Sequence, residues 1–470
     1  MVFSSTIFLF IFLPVVLLGY YGLFRSITAR NYLLLAVSLG FYAWGEPLYV
    51  FLMVISILGN FCFGLLIDRT ETVGKRRGWL VLTVCFNLGI LFYFKYLNFA
   101  VDNINALFGL QLYAKPQVLP IGISFFTFQA MSYVFDVYRK TAKVQRNILY
   151  LALYISFFPQ LVAGPIVRYN SIEEQIVCRT VTADKFQQGV FRFIQGFGKK
   201  VILSNMMSIT AERVFDLAVG GELSVAMAWL GSVAYTFQIF FDFSGYSDMA
   251  IGLGRMFGFE FEENFNYPYM TKSISEFWNR WHISLGHWFR DYVYFPLGGS
   301  RAGKWKTVRN LFVVWMLTGI WHGAAWQFVI WGLGYGLLIA LEKVTSIPKR
   351  LESQWAAGLY RVFTLLVVNG FWVLFGARNI HSALYQLRVM FGLQSAALTD
   401  ALTVFTLSEY WPYFLLALFF STPAMSALTK RIPRGTLYGV GQAAVYLTVL
   451  LIAVSYLAMG VHNPFIYFNF

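Results

Sequence analysis

The sequence predicts an all-α polytopic membrane protein, and three observations carry that prediction. Its 470 residues are 58% hydrophobic and 19% aromatic. Only 12% are charged, about half the roughly 25% usual in soluble domains. Several windows exceed the ~18 apolar residues that a spanning helix needs, and basic residues gather in short clusters at the ends of the apolar runs. Together these give about ten to twelve membrane segments, some of them re-entrant, in a single membrane-embedded domain over residues 1–470. The longest polar stretches, 169–185 and 260–275, are too short to fold as soluble domains.

The first apolar window, Met1 to Phe24, has no basic leader and no small-residue cleavage site before Arg25, so it reads as a retained helix. Further candidate spans run over 47–67, 147–167, 223–241 and 435–457. Cys62 and Cys85 lie in apolar runs and read as buried thiols. With Cys178 they lack metal-ligand spacing, and no metal site is expected. The net charge of +14 comes largely from clusters such as Arg69, Lys75, Arg76 and Arg77; Arg139, Lys140, Lys143 and Arg146; and Lys430, Arg431 and Arg434. Basic clusters that flank apolar segments orient a chain in its bilayer and attract anionic lipid, so nucleic acid is not an expected partner. No internal repeat is evident, which weighs against inverted-repeat transporters.

The next informative run is Phe237-Gln-Ile-Phe-Phe-Asp-Phe-Ser-Gly-Tyr-Ser-Asp-Met-Ala-Ile-Gly252. Asp242 and Asp248 stand there in apolar surroundings, and carboxylates at membrane depth need partners. Arg255, Arg280 and Arg290 are the available cations, and ion pairing is favoured over a catalytic dyad. Gly252-Leu-Gly-Arg-Met-Phe-Gly258 imitates a nucleotide loop, but the third glycine comes one position late and no strand precedes it. Close helix packing explains it better, as it does Gly332, Gly334 and Gly336.

From Ser273 to Gly298, Phe277, Trp278, Trp281, Leu285, Trp288 and Phe289 recur at helical spacing behind a Ser273–Glu276 capping pattern. The run is therefore expected as an amphipathic helix. Its polar positions carry Glu276, Asn279, Arg280, His282, Ser284, His287, Arg290 and Asp291, and so place it at the interface or along a wet interior groove.

No Asp, Glu, Lys or Arg occurs from Asn310 through Leu341, and His322 stands within that run in Leu317-Thr-Gly-Ile-Trp-His-Gly-Ala-Ala-Trp326. Imidazole both accepts and donates protons near neutral pH, and an ionisable group inside a membrane is a functional candidate by default. Basic residues flank the run on both sides, and it is short for two full passes, so a broken helix is expected, interrupted at Gly319 or Gly323. A helix entered at Asn310 would carry His322 to roughly 18 Å, near the middle of a ~30 Å core. His381 and His462 read as loop or interfacial residues.

Five motifs in order resemble one known group: Leu119-Pro-Ile-Gly-Ile-Ser-Phe-Phe-Thr-Phe-Gln129, Phe158-Pro-Gln-Leu-Val-Ala-Gly-Pro165, Phe241-Asp-Phe-Ser-Gly-Tyr-Ser-Asp248, Arg280-Trp-His-Ile-Ser284 and Leu317-Thr-Gly-Ile-Trp-His-Gly323. The chain resembles the membrane-bound O-acyltransferase family over nearly its whole length. Within that family it is most similar to the bacterial branch of the alginate O-acetyltransferase membrane subunit and its peptidoglycan-acetylating relatives. The resemblance implies a helical scaffold in the bacterial inner membrane, open to cytosolic acetyl-coenzyme A as donor substrate and, on the outer side, to a polysaccharide acceptor or a periplasmic partner protein. It implies no permanently bound cofactor. It maps the catalytic histidine onto His322 and a second active-site position onto the Trp281–His282 neighbourhood, with His287 as the alternative.

Acetyl transfer to a hydroxyl needs a base, oxyanion donors and an oriented thioester. His322 suits the base, and His282 suits polarising the thioester carbonyl or protonating the leaving thiolate. Trp321 and Trp326 are candidates to wall the site against water. Arg280, Arg290 and Lys272 are candidates for the coenzyme phosphates. The competing readings are D-alanyl transfer toward teichoic acid, peptidoglycan O-acetylation, and a transporter or flippase using Asp242, Asp248 and the histidines as a proton relay.

Overall fold

The computed structural model describes residues 3–23, 26–301, 303–433, 435–460, 463, 464 and 466, and the regular structure among them is helical. The described residues contain no strand, and Phe265 and Trp281 form one antiparallel bridge. Six helices among them are long and apolar enough to cross a membrane: Tyr49–Arg69, Val73–Phe108, Trp326–Thr345, Gln354–Gly376, Ala401–Phe420 and Thr436–Ala458. Phe8–Gly22 is a shorter apolar helix. A helix satisfies its backbone hydrogen bonds internally, so these segments meet the bilayer's main structural demand. Arg434 and His462 lie outside the described residues.

Three expected segments take a different form. The window 147–167 is no single crossing: Ile148–Ser156 ends at Phe157, and a four-residue helix, Phe158–Leu161, restarts with Pro159 in its first turn. Proline lacks the N–H that would continue the earlier helix but suits a helix start. The window 223–241, apart from its first two residues, lies inside one 32-residue helix, Val225–Met256. The amphipathic run breaks into Ile274–Arg280 and Ile283–Phe289, with Trp281 and His282 between them. Cys62 and Cys85 are exposed, not buried, and Cys178 is exposed as well.

The described residues pack as two compact units, one drawn from 1–193 and 247–262, the other from 194–246 and 263–466. In the first, Tyr49–Arg69 and Val73–Leu91 pack together and against Ile123–Arg139, which is buried along nearly all its length. Asn60 and Asn87 exchange carboxamide hydrogen bonds at 3.0 and 2.8 Å between the first two helices. Each buried amide there meets the other's needs, which lets polar side chains sit inside an apolar bundle. Gly252 meets Gly189 so closely that an added Cβ would lie 2.6 Å from the Gly189 carbonyl oxygen, confirming helix packing over a nucleotide loop.

In the second unit, Lys304–His322 and Trp326–Thr345 form a tight helical hairpin. Gly319 and Gly332 permit the approach: a Cβ on Gly319 would stand 2.3 Å from the Phe328 carbonyl oxygen, and one on Gly332 2.4 Å from that of Trp315. The interruption falls at Gly323, where the backbone turns extended at φ −171° and ψ 154°. Gln354–Gly376 packs on the second arm of the hairpin. Glu342, near the end of that arm, accepts the Ile274 and Ser275 backbone N–H groups, both at 2.8 Å, and the Tyr360 hydroxyl at 2.8 Å. A carboxylate at the first N–H groups of Ile274–Arg280 satisfies orphan donors and complements the helix dipole.

Candidate active site

His322 is the last residue of its helix, and Gly323 is what ends the helix there. A Cβ on Gly323 would lie 2.2 Å from the Phe328 ring, so that phenyl group packs directly against the turn. The helix begins at Lys304 rather than Asn310, which places His322 eighteen residue steps, roughly 27 Å, along it. Its side chain is 2% exposed. Its ring meets Trp321 at 5.0 Å, Trp331 at 5.1 Å and Phe375 at 5.1 Å, all edge-on.

His282 arrives from another direction. Ser273 caps Ile274–Arg280 by accepting the Glu276 N–H at 3.1 Å, while the Glu276 carboxylate takes the Lys272 N–H at 2.9 Å. The expected capping box thus forms with its return arm shifted by one residue. The helix then breaks, because His282 adopts φ +48° and ψ 51°, a left-handed conformation that β-carbon-bearing residues rarely occupy. The bridge from Trp281 to Phe265 and the Ile283 N–H to the Asn264 carbonyl at 3.0 Å hold the break on both sides.

The His282 side chain is 1% exposed, edge-on to Phe243 at 4.6 Å and 6.0 Å from the Trp321 ring. One indole therefore lies beside both imidazoles. His282 sits outside the six spanning helices, and burial holds its imidazole well below the ordinary range, so it is neutral.

The other expected site residues are not gathered there. Trp326 opens the second hairpin helix and is 56% exposed; Trp331 and Phe375 stand beside His322 where Trp326 was expected. His287 is half-buried on Ile283–Phe289. Arg280 pairs with Glu276 at 2.8 Å, and Arg290 with its neighbour Asp291 at 2.8 Å. Lys272 is exposed.

Asp242 and Asp248 are paired, though not with the expected arginines. Asp242 binds Lys200 at 2.7 Å with both side chains almost fully buried, and also accepts the Ile466 N–H at 3.0 Å. Asp248 binds Arg192 at 2.6 Å in the first unit. Each carboxylate has its own cation, the arrangement of structural ion pairs.

Asn264, Phe243, Trp331 and Phe375 escaped the sequence reading because each looks like ordinary helix or loop composition. Only the chain's path brings them to the histidines.

The helical scaffold buries two imidazoles beside one indole, and an imidazole is a side chain that can accept and donate a proton near neutral pH. Residues 80–352 match the membrane-bound O-acyltransferase family. A probable alginate O-acetylase of Pseudomonas putida is 40% identical over 496 residues, covering 100% of both chains. A peptidoglycan O-acetyltransferase of Helicobacter pylori is 36% identical over 85% of this chain and 81% of its own. A teichoic acid D-alanyltransferase of Bacillus subtilis is 33% identical over 54% of this chain and 68% of its own. The chain belongs to the membrane-bound O-acyltransferase family and is a multi-pass membrane O-acyltransferase.

Proposed function

We propose that this protein takes acetyl from cytosolic acetyl-coenzyme A and passes it across the bacterial inner membrane to hydroxyls of alginate or a similar exopolysaccharide, directly or through a periplasmic partner. The observation that carries the reading is the placement of His282 and His322 beside the single indole of Trp321. The full-length similarity to an alginate O-acetylase favours acetyl and alginate over the D-alanyl reading, whose relative aligns with about half the chain.

In this mechanism His322 is the general base. It draws the proton from the acceptor hydroxyl as the oxygen attacks the thioester carbonyl carbon, the C–S bond breaks, and the proton passes to the departing sulfur. The aromatic wall of Trp321, Trp331 and Phe375 excludes water that would otherwise hydrolyse the thioester. Arg280 and Arg290, partly exposed and paired with Glu276 and Asp291, are the donor-phosphate candidates; each would exchange a carboxylate for a phosphate oxygen. The transporter reading loses its relay, since Asp242 and Asp248 are each committed to a cation.

The test replaces His322 by Ala and measures membrane insertion together with thiol release from acetyl-coenzyme A. Normal insertion with a rate lower by about 10²- to 10⁴-fold is expected. An inserted variant that still acetylates at the wild-type rate removes His322 from the mechanism.

A further inference from the structure

The tautomer of His282 is written into the chain by Asn264. The Asn264 side-chain oxygen receives the Ser284 backbone N–H at 3.2 Å, the Ser284 hydroxyl at 2.9 Å and His282 Nδ1 at 3.2 Å. A backbone N–H can only donate, so the Asn264 atom that faces it must be the oxygen; this fixes which way the carboxamide points. An amide oxygen cannot donate, so His282 Nδ1 carries the hydrogen. A neutral imidazole has one N–H, which leaves the lone pair on Nε2. That nitrogen is buried with no hydrogen-bond partner among the described residues. Asn264 also takes the Ile283 N–H on its backbone carbonyl, so this one residue receives hydrogen bonds from all of 282–284. Such clamping is what a left-handed histidine needs, because its backbone conformation is unfavourable on its own.

We propose that Asn264 is a positioning residue that locks His282 so that its Nε2 accepts a hydrogen bond from bound substrate and holds the reacting groups beside His322. The contact makes and breaks no covalent bond. The group it receives must carry N–H or O–H. A thioester carbonyl carries neither, so neutral His282 orients substrate instead of polarising that carbonyl. Two sources offer the required chemistry: the pantetheine amide N–H of the acyl donor and a hydroxyl next to the reacting one on the sugar. The inference rests on the acetyl-transfer reading above.

The experiment compares wild type, Asn264→Leu, His282→Phe and the double variant, following thiol release from acetyl-coenzyme A with de-O-acetylated alginate oligosaccharide, each substrate varied in turn. Asn264→Leu is expected to raise one KM about tenfold, the worth of one hydrogen bond, and to change kcat by less than about threefold. A rise in the acetyl-coenzyme A KM identifies the amide, and a rise in the oligosaccharide KM identifies the sugar hydroxyl. The double variant should match His282→Phe alone, because Asn264 acts through His282. Additive effects, unchanged KM values, or a collapse of kcat at constant KM would each overturn the proposal, the last by making His282 a proton carrier. If Asn264→Leu does not fold, His282→Phe carries the test with the same KM rise. A wild type that releases no thiol, even with a periplasmic extract added to supply a partner acceptor, sinks the acetyl-transfer reading and this proposal with it; an active wild type with unaltered variants sinks this proposal alone.

Discussion

Replacing Gly319 by Ala tests whether the hairpin crossing sets the position of His322. The added Cβ would stand 2.3 Å from the Phe328 carbonyl oxygen and 3.2 Å from Gly332 Cα. Ordinary contact begins near 3.4 Å, so the two helices must part by about 1.1 Å, the difference between 3.4 and 2.3. Both close neighbours are backbone, so no side chain can swing away to absorb the clash. Overpacking of this kind costs about 1–3 kcal/mol, which a protein of ordinary stability survives. The catalytic consequence is larger. His322 lies three residues beyond Gly319, and a ~1 Å misplacement of a reacting group lowers rates by about 10²-fold. Thiol release from acetyl-coenzyme A, normalised to folded protein by monodisperse elution in detergent, provides the assay. A well-folded Gly319→Ala variant with wild-type kcat would refute the claim that this crossing positions the histidine.

Other outcomes follow from the same geometry. Trp331→Ala should lower kcat by more than about tenfold through loss of the wall beside His322, whereas Trp326→Ala, at a largely exposed position, should alter it by less than about twofold; parallel kinetics check the contrast. Asp242→Ala strands the buried Lys200 ammonium and should destabilise by about 3–5 kcal/mol, while Lys200→Met with Asp242→Leu should recover most of the loss in thermal unfolding. Lys185, bonded to Glu260 at 2.7 Å, holds that carboxyl below its ordinary range. The folded-state value is depressed, so the contribution exists at neutral pH and disappears as pH falls through the acid range. Glu260→Gln should therefore cost at most about 1 kcal/mol at pH 7, given its exposure, and nothing once the wild-type carboxyl is protonated.

The helical membrane class was legible because it rests on composition, which needs no knowledge of contacts. His322 was legible for a related reason: an imidazole in a run without formal charge is conspicuous along one dimension. The interruption at Gly323 could be read from the glycine and the flanking charges, although the starting point at Lys304 could not, since its Lys-Trp-Lys opening looks interfacial rather than helical. His282 was harder. Phe277, Trp281, Leu285 and Trp288 fit one uninterrupted helical face, and nothing local announces that His282 takes a positive φ. That conformation is imposed by Asn264, eighteen residues earlier, and by the bridge between Phe265 and Trp281. The partners of the aspartates were misassigned for the same reason: Arg255, Arg280 and Arg290 all follow them in the chain, whereas helix packing brings in Lys200 and Arg192, which precede them.

The polar groups of the chain divide by how they are matched. Asp242, Asp248 and Glu342 each face a cation, backbone N–H groups or a hydroxyl that meets their charge or lone pairs. Such groups are costly to unpair and hold helices in place. His282 is matched on one nitrogen only. Its Nδ1 is tied to Asn264, and its Nε2 is buried against aromatic rings that offer a lone pair little. A buried acceptor left in this way is a cost to the resting protein that a substrate donor would relieve on binding. The left-handed backbone at the same residue adds a second local cost. Two unfavourable terms on one residue, beside the indole that also touches His322, are the observations on which the proposal of a substrate contact at His282 rests.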